Sequence, residues 1–380
     1  MNAGSLLAIL LHFTLGASGQ SLEQNWKFKT SGPVLAGPLY VDGKVFIGDM
    51  NGKFFAIDAE NGKEIWSFET DGNIQAKATS VGGNIFFESA NVFYLLNGDG
   101  DVLWKYDQEI LPFVFKYKEH EWPYKIDPYD DKRSVASYHE GVIYAGSSDG
   151  SVYAFEAKTG KVQKRFVADE KSPVRSSPFI HEGQLFFGDW NGLVYCYDLK
   201  SGALEWKKKT YRGDKPYGTF GGVVSEFTTY NGLLFFGARN YMLNVLEITT
   251  GEKDWTFTDP KRGWIIGDPV VYNDTLYIGG SDNFSMYAFH PNIGQPFWSH
   301  NGKKNIYTKP LVTDDHVIFT TGNGYDPNDS GKLFVLDRMT GTELSVFETP
   351  MGSFSSPVFA GDHIVFGSYD EHVYSLKLKD

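Results

Sequence analysis

The stretch Val174-Arg175-Ser176-Ser177-Pro178-Phe179-Ile180 runs through His181-Glu182-Gly183 into Gln184-Leu185-Phe186-Phe187-Gly188. Asn191-Gly192 then leads to Leu193-Val194-Tyr195-Cys196-Tyr197-Asp198, and Lys200-Ser201-Gly202 to Ala203-Leu204-Glu205-Trp206. Four apolar or alternating segments separated by turn residues predict four antiparallel strands, because only Gly, Asn or Asp readily accepts the positive φ of a two-residue hairpin turn. Asn51-Gly52 and Asp149-Gly150 take the same hairpin position elsewhere. The turn before the last strand recurs as Asn61-Gly62, Thr159-Gly160, Thr250-Gly251 and Thr340-Gly341.

The unit repeats along the whole chain. Its closing aromatic falls at Trp26, Trp66, Trp104, Phe166, Trp206, Trp255, Trp298 and Phe347, at intervals of 40, 38, 62, 40, 49, 43 and 49 residues. A period near 40 with four strands per unit is the signature of propeller blades. Strands such as Val194 to Tyr197 and Leu333 to Leu336 are apolar without alternation, so both faces of each sheet are covered, as face-to-face blades require. The last unit stops at Asp380 with three strands, and Gln24-Asn25-Trp26-Lys27-Phe28-Lys29 has the pattern of the missing fourth. The expected architecture is therefore all-β: an eight-bladed β-propeller of four-stranded antiparallel blades, its ring closed by the N-terminal strand pairing into the last blade.

The domain organisation expected is a leader over 1–19, a single propeller domain over 20–380, and an aromatic insertion at 105–132. Leu6 to Leu15 is apolar except for His12 and Thr14, and Ala17-Ser18-Gly19 supplies small residues before Gln20, which predicts an export signal too short to serve as a membrane anchor. The chain is expected to be exported, periplasmic or secreted, with no transmembrane segment and monomeric. Thirty-five Lys and Arg against 47 Asp and Glu give a net charge of −12, which argues against nucleic acid as a partner because phosphate binding needs a concentrated basic surface. The one cysteine, Cys196, excludes an internal disulfide and occupies a position filled by Ala56 and Ala154 in other repeats.

Ala56-Ile57-Asp58, Asn61-Gly62 and Trp66 recur as Cys196-Tyr197-Asp198, Ser201-Gly202 and Trp206, and around Glu247, Gly251 and Trp255. This pattern resembles the tryptophan-docking repeat of the pyrroloquinoline-quinone-like eight-bladed propellers, over residues 23 to 380. The resemblance implies that Trp26, Trp66, Trp104, Trp206, Trp255 and Trp298 pack against neighbouring blades. It covers quinone-dependent alcohol and sugar dehydrogenases as well as a non-catalytic branch that includes the propeller lipoprotein of the outer-membrane β-barrel assembly machinery. The dehydrogenase branch usually carries adjacent cysteines and a calcium ligand set; a chain with one cysteine cannot form that disulfide. No Cys-x-x-Cys-His haem motif is present either. Catalytic, cofactor-binding and metal residues are accordingly expected to be absent, with pyrroloquinoline quinone and calcium as the alternative.

Gly146-Ser147-Ser148-Asp149-Gly150 matches a nucleophile elbow by letters but sits in a hairpin rather than a strand-to-helix turn. Asp326, Asn328, Ser330, Gly331 and Asp337 imitate calcium-loop spacing, yet their flanks read as strands and a polar hairpin tip explains them. Two features exceed what the repeat demands. At the position before the first-strand proline, the eight units carry Gly37, Lys77, Val135, Ser177, Glu226, Asp268, Lys309 and Ser356, with Arg133 and Arg175 two residues upstream in their units. If these strands line the axis, Lys77, Arg133, Arg175, Glu226, Asp268 and Lys309 gather ionisable groups at one channel mouth, either as a funnel for a polar ligand or partner or as a self-paired, water-filled channel. The insertion holds Phe113, Phe115, Tyr117, Trp122 and Tyr124 among mixed charges, and reads either as a protein-interaction patch or as a cap folded over the ring. The functional expectation is an exported, non-catalytic scaffold that binds a protein partner or polar ligand at one face, with cell-envelope assembly as its setting; a quinone-dependent dehydrogenase is the alternative.

Overall fold

The computed structural model describes residues 20–108, 114–117, 120–123, 125–126, 130–211 and 222–379, with only the backbone of the 114–123 hairpin described apart from Lys116. Eight four-stranded antiparallel sheets follow one another in sequence, each built from consecutive strands except the last. That last blade joins Val358–Ala360, His363–Ser368 and His372–Lys379 to the N-terminal strand Ser21–Lys29. Ser21 pairs with Lys379 and Lys29 with His372, so the two ends of the described chain zip together along a whole strand. Among the described residues, no helix is long and apolar enough to cross a membrane.

The sheets pack through eight apolar clusters, one for each pair of neighbouring blades. The cluster joining Trp26, Val365 and Val373 of the last blade to Val45, Ile47, Phe55 and Ile57 of the first completes the circle. Phe54 stacks on Phe87 across the first interface at 4.1 Å and 4°, and Phe93 meets Phe155 edge-on at 5.6 Å across the second. Burying such rings on both sheet faces is what the uninterrupted apolar strands require.

Six of the eight outer strands carry the docking tryptophan directly after a bulge, and in the other two Lys164 and Ser345 take that place, with Phe166 and Phe347 two residues further on. In the first blade the register slips between Ala56 and Ile57, which leaves Ile65 unpaired and turns Trp66 toward the next blade. The same slip occurs in all the other blades, including between Gln24 and Trp26 where the N-terminal strand closes the ring. Trp26 donates its indole N–H to the Ala59 carbonyl at 2.9 Å, Trp104 to Ala157 at 2.9 Å and Trp298 to Arg338 at 3.0 Å. Trp66, Trp206 and Trp255 make the same bond to Gly98, Ile248 and Pro291. The ring lies flat on the glycine of the next blade's turn: at Gly62, φ is +72° and a β-carbon would stand 2.7 Å from the Trp26 ring. Left-handed backbone and close approach both demand glycine there.

The innermost strands are shorter than the sequence suggests. Five begin immediately after a proline, at Leu39, Phe179, Val270, Leu311 and Val358, because proline cannot donate to the ladder. The fifth blade lacks that proline and its inner strand extends over Val223–Tyr230.

Candidate functional site

The proline-marked segments line the axis. All eight positions that precede the first-strand proline or its equivalent, from Gly37 to Ser356, face one cavity of about 880 Å³. Neighbouring blades are stitched around it: Val135 N–H donates to Ser177 Oγ at 3.1 Å, Glu226 N–H to Asp268 Oδ1 at 2.8 Å, and Lys309 N–H to Ser356 Oγ at 2.9 Å. The walls above this ring come from hairpin turns and inter-blade connections, including Met50, Trp190, Arg239, Trp264, Tyr325 and Tyr369.

Four of the six ionisable residues expected at the mouth form one constellation. Lys309 Nζ meets Glu226 Oε2 at 2.6 Å. Burial opposes ionisation of both, yet their mutual attraction lowers the Glu226 carboxyl and raises the Lys309 ammonium. Asp268 is engaged from outside the ring, by Lys132 Nζ at 2.6 Å, while burial pushes its own carboxyl up. Lys77 lies close enough to feel Glu226 and Lys309 but makes no hydrogen bond or ion pair among the described residues, and burial lowers its ammonium.

The other two expected residues are drawn aside by a carboxylate. Asp130, at the end of the insertion, is wholly buried and accepts two bonds from Arg175, Nε at 2.8 Å and a terminal nitrogen at 2.9 Å, and one from Arg133 at 3.0 Å. Burial alone would raise the Asp130 carboxyl; the two guanidinium groups outweigh it and hold it far below the usual range. Arg175 is therefore not a mouth residue. It is 2 % exposed, off the cavity wall, with its remaining terminal nitrogen on Ser148 Oγ of the serine-containing turn. Arg133 keeps an edge on the cavity and donates from Nε to Gln75 Oε1 at 3.0 Å.

Asp130 also accepts the Ile126 N–H at 3.0 Å. Ile126 packs on Trp190, Val224 and Ile266, and Lys132 reaches the Ile266 carbonyl at 3.0 Å. The described end of the insertion thus folds against the ring and supplies Lys125, Asp131 and Lys132 to the cavity wall. Phe113 and Tyr124 lie outside the described residues, and Phe115, Tyr117 and Trp122 are described in backbone only, within the hairpin Val114–Tyr117 to His120–Pro123.

The sequence reading missed an aromatic wall. The Arg239 guanidinium lies between the rings of Trp190 and Trp264, at 4.5 Å and 4.6 Å, a stacking that the planar cation favours. Tyr307 stacks on Phe354 at 5.6 Å beside it. These residues come mostly from connections and turns, where no periodicity marks direction; the tryptophans outside the docking series were the one available signal.

The comparisons with known proteins agree with this architecture. A family model described as outer membrane protein assembly factor BamB matches residues 17–216 and 191–380. The crystal structure of BamB from Moraxella catarrhalis superposes with a TM-score of 0.70 at 12 % identity, over 94 % of this chain and 99 % of that one. Quinohemoprotein alcohol dehydrogenase from Comamonas testosteroni gives 0.72 at 12 % identity, over 93 % of this chain and 76 % of the enzyme. Among curated proteins, the beta-alanine-activating enzyme of Danio rerio is 27 % identical over 99 residues, which is 26 % of this chain and only 9 % of that enzyme.

Proposed function

Because the chain belongs to the family described as outer membrane protein assembly factor BamB, we propose that it is an exported scaffold that works by binding, at the face on which the insertion folds, with cell-envelope assembly as its setting. The observation that carries this reading is the convergence of all eight axial positions, the insertion and an aromatic wall on one cavity. Concave sites with apolar walls and a few placed polar groups are where binding energy is most readily concentrated. The insertion makes this face unlike the other.

The test is capture by the immobilised chain from an envelope extract. A stoichiometric partner retained by the unaltered chain and lost with Trp264→Ala is the expected result. Equal retention by both, with both folded, would remove this face from the function.

The dehydrogenase reading has one observation in its favour, the superposition on the alcohol dehydrogenase, and at that identity it speaks for the fold. The residues here do not fit a quinone held beside calcium. Each axial carboxylate is occupied by a lysine, and the slot between the two indoles is filled by Arg239. Among the described residues no group of three His, Cys, Asp or Glu side chains is placed to hold a metal ion. Cys196 is wholly buried. Dye reduction with alcohols or aldoses after adding quinone and calcium would overturn the binding-only reading.

A further inference from the structure

The outer edge of the sixth blade differs in charge from the others. Its last strand, Pro296–Asn301, ends the sheet, and among the described residues no further strand pairs with it. Such an edge presents a row of backbone N–H and C=O groups that another strand can take up, and soluble proteins discourage this with charged side chains, lysine above all. The other seven outer strands all carry charge, from Glu64–Glu69 with two glutamates to Leu204–Lys209 with three lysines. Pro296-Phe297-Trp298-Ser299-His300-Asn301 holds no Asp, Glu, Lys or Arg. Its one titratable ring, His300, is kept toward the neutral form by burial, against Phe319 and Phe334 of the seventh blade. Pro296 removes a single donor, at the strand's first residue, and leaves the rest of the edge intact.

The same corner carries bare apolar side chains. Phe297 is the unpaired residue of the bulge and stands 58 % exposed. Ile293, in the turn that enters the strand, is 57 % exposed, and Met339, in the seventh-blade turn on which Trp298 docks, is 69 % exposed. These are three of the four most exposed large apolar side chains among the described residues. One such group alone would mean nothing; three beside an uncharged edge mark a surface that binds protein.

We infer that this edge is a self-association site: two copies of the chain pair their Pro296–Asn301 strands antiparallel about a twofold axis, joining two sixth blades into one continuous sheet and covering Phe297, Ile293 and Met339. A twofold contact sets a strand against its own copy, so any lysine or glutamate it carries comes close to its like. The sixth-blade strand alone escapes that repulsion, which selects a second copy of this chain as the occupant. The strand is about 20 Å long, and with three apolar side chains it covers less than a standard interface, so the dimer is reversible and micromolar. None of these residues lines the axial cavity, and the inference is independent of the binding role proposed above.

Sedimentation velocity of the full chain from about 1 to 300 µM tests it, since mass action makes a weak dimer depend on concentration. The parent is expected to pass from monomer toward dimer across that range. Association should be stronger at about 0.5 M than at about 0.05 M salt, because two chains of net charge −12 repel and salt screens them. Ser299→Lys and Phe297→Asp should each weaken it about tenfold or more, since each sets like charges close together across the new strand pair. The two substitutions move the net charge in opposite directions, so a loss in both cannot come from overall repulsion. Thr256→Lys, at the same place in the fifth-blade strand, should leave association unchanged. Melting curves confirm that each variant is folded; should one fail, the other decides. A parent that stays monomeric throughout, a dimer that survives the edge substitutions, or equal weakening by Thr256→Lys would overturn the inference and leave the capture experiment untouched.

Discussion

Phe166 and Phe347 lie two residues beyond the position at which six other blades present an indole, and that position holds Lys164 and Ser345 instead. In the third blade the missing bond is made another way: Lys164 lies over Gly202 of the fourth and donates to the Ser201 carbonyl at 3.1 Å. Where the indole is present its N–H reaches a carbonyl in a closed interface, so Trp104→Phe keeps most of the apolar contact and strands the Ala157 carbonyl. A loss of about 1–3 kcal/mol in urea unfolding is expected, whereas Lys164→Ala, an exposed contact, should cost under about 1 kcal/mol. Asp130 is the opposite case, a charge whose value lies in its surroundings. Asp130→Asn takes away the carboxylate that both guanidinium groups bond, leaving only the more distant buried Glu88 beside them, and should cost about 3–5 kcal/mol at pH 7. Because the folded carboxyl titrates far below the unfolded one, its contribution is complete above about pH 4 and is lost as pH falls toward the folded value. The gap between variant and parent should therefore narrow below about pH 4, by roughly 1.4 kcal/mol per pH unit; a gap independent of pH would show that the ionised form is not what matters.

The elements explain why some of the site could be read in advance. Turn glycines, the closing aromatic and the proline ahead of the inner strand repeat in step, so they fix blade, strand and register together, and the eight axial residues follow from counting. Arg175 shows where counting fails. It shares the register of Gln75 and Arg133, which do border the cavity, but the Asp130 carboxylate takes it bidentately and turns it away. No periodicity announces a partner from a 28-residue insertion. Trp190, Arg239 and Trp264 were illegible for a related reason: hairpin turns and connections set side-chain direction one by one, through contacts that exist only once the ring is built. The N-terminal strand was legible because it carries the full outer-strand pattern, including the tryptophan that docks on the first blade. Deleting Ser21–Lys29 removes a whole ladder partner of His372–Lys379, exposes the edge of the last blade and uncovers the cluster around Val45, Ile57 and Val373. Calorimetry should show a fall in melting temperature of well over 10 °C or loss of a cooperative transition, since the element lost is one of eight that share a continuous core. A shift of one or two degrees would mean that the ring holds without its closure.

At the scale of the molecule, the closure is the one blade whose third and fourth strands are not joined through a turn. Ser21 stands opposite Lys379, just where other blades connect those strands through a short glycine-containing loop. The chain can therefore be recut: a short Gly-containing turn between residues 379 and 20, with new ends opened at the exposed Gly82-Gly83 turn between inner strands of the second blade. Every native contact survives, so the folded ring and its cavity are expected to be unchanged. What changes is the reference state, because the most distant pairing in the chain becomes a local hairpin. Closing a loop of the whole chain length costs entropy that grows only as the logarithm of length, so the gain at equilibrium is modest, on the order of 1–3 kcal/mol, and is partly offset by new frayed ends in the second blade. The rate should respond more strongly, since a strand pairing spanning the entire sequence is the slowest kind to form. Refolding from urea is expected to accelerate several-fold in the permuted chain with unfolding little altered. Equal refolding rates would place ring closure after the rate-limiting step, and a permutant that fails to bind would show that the cavity depends on free termini rather than on the ring.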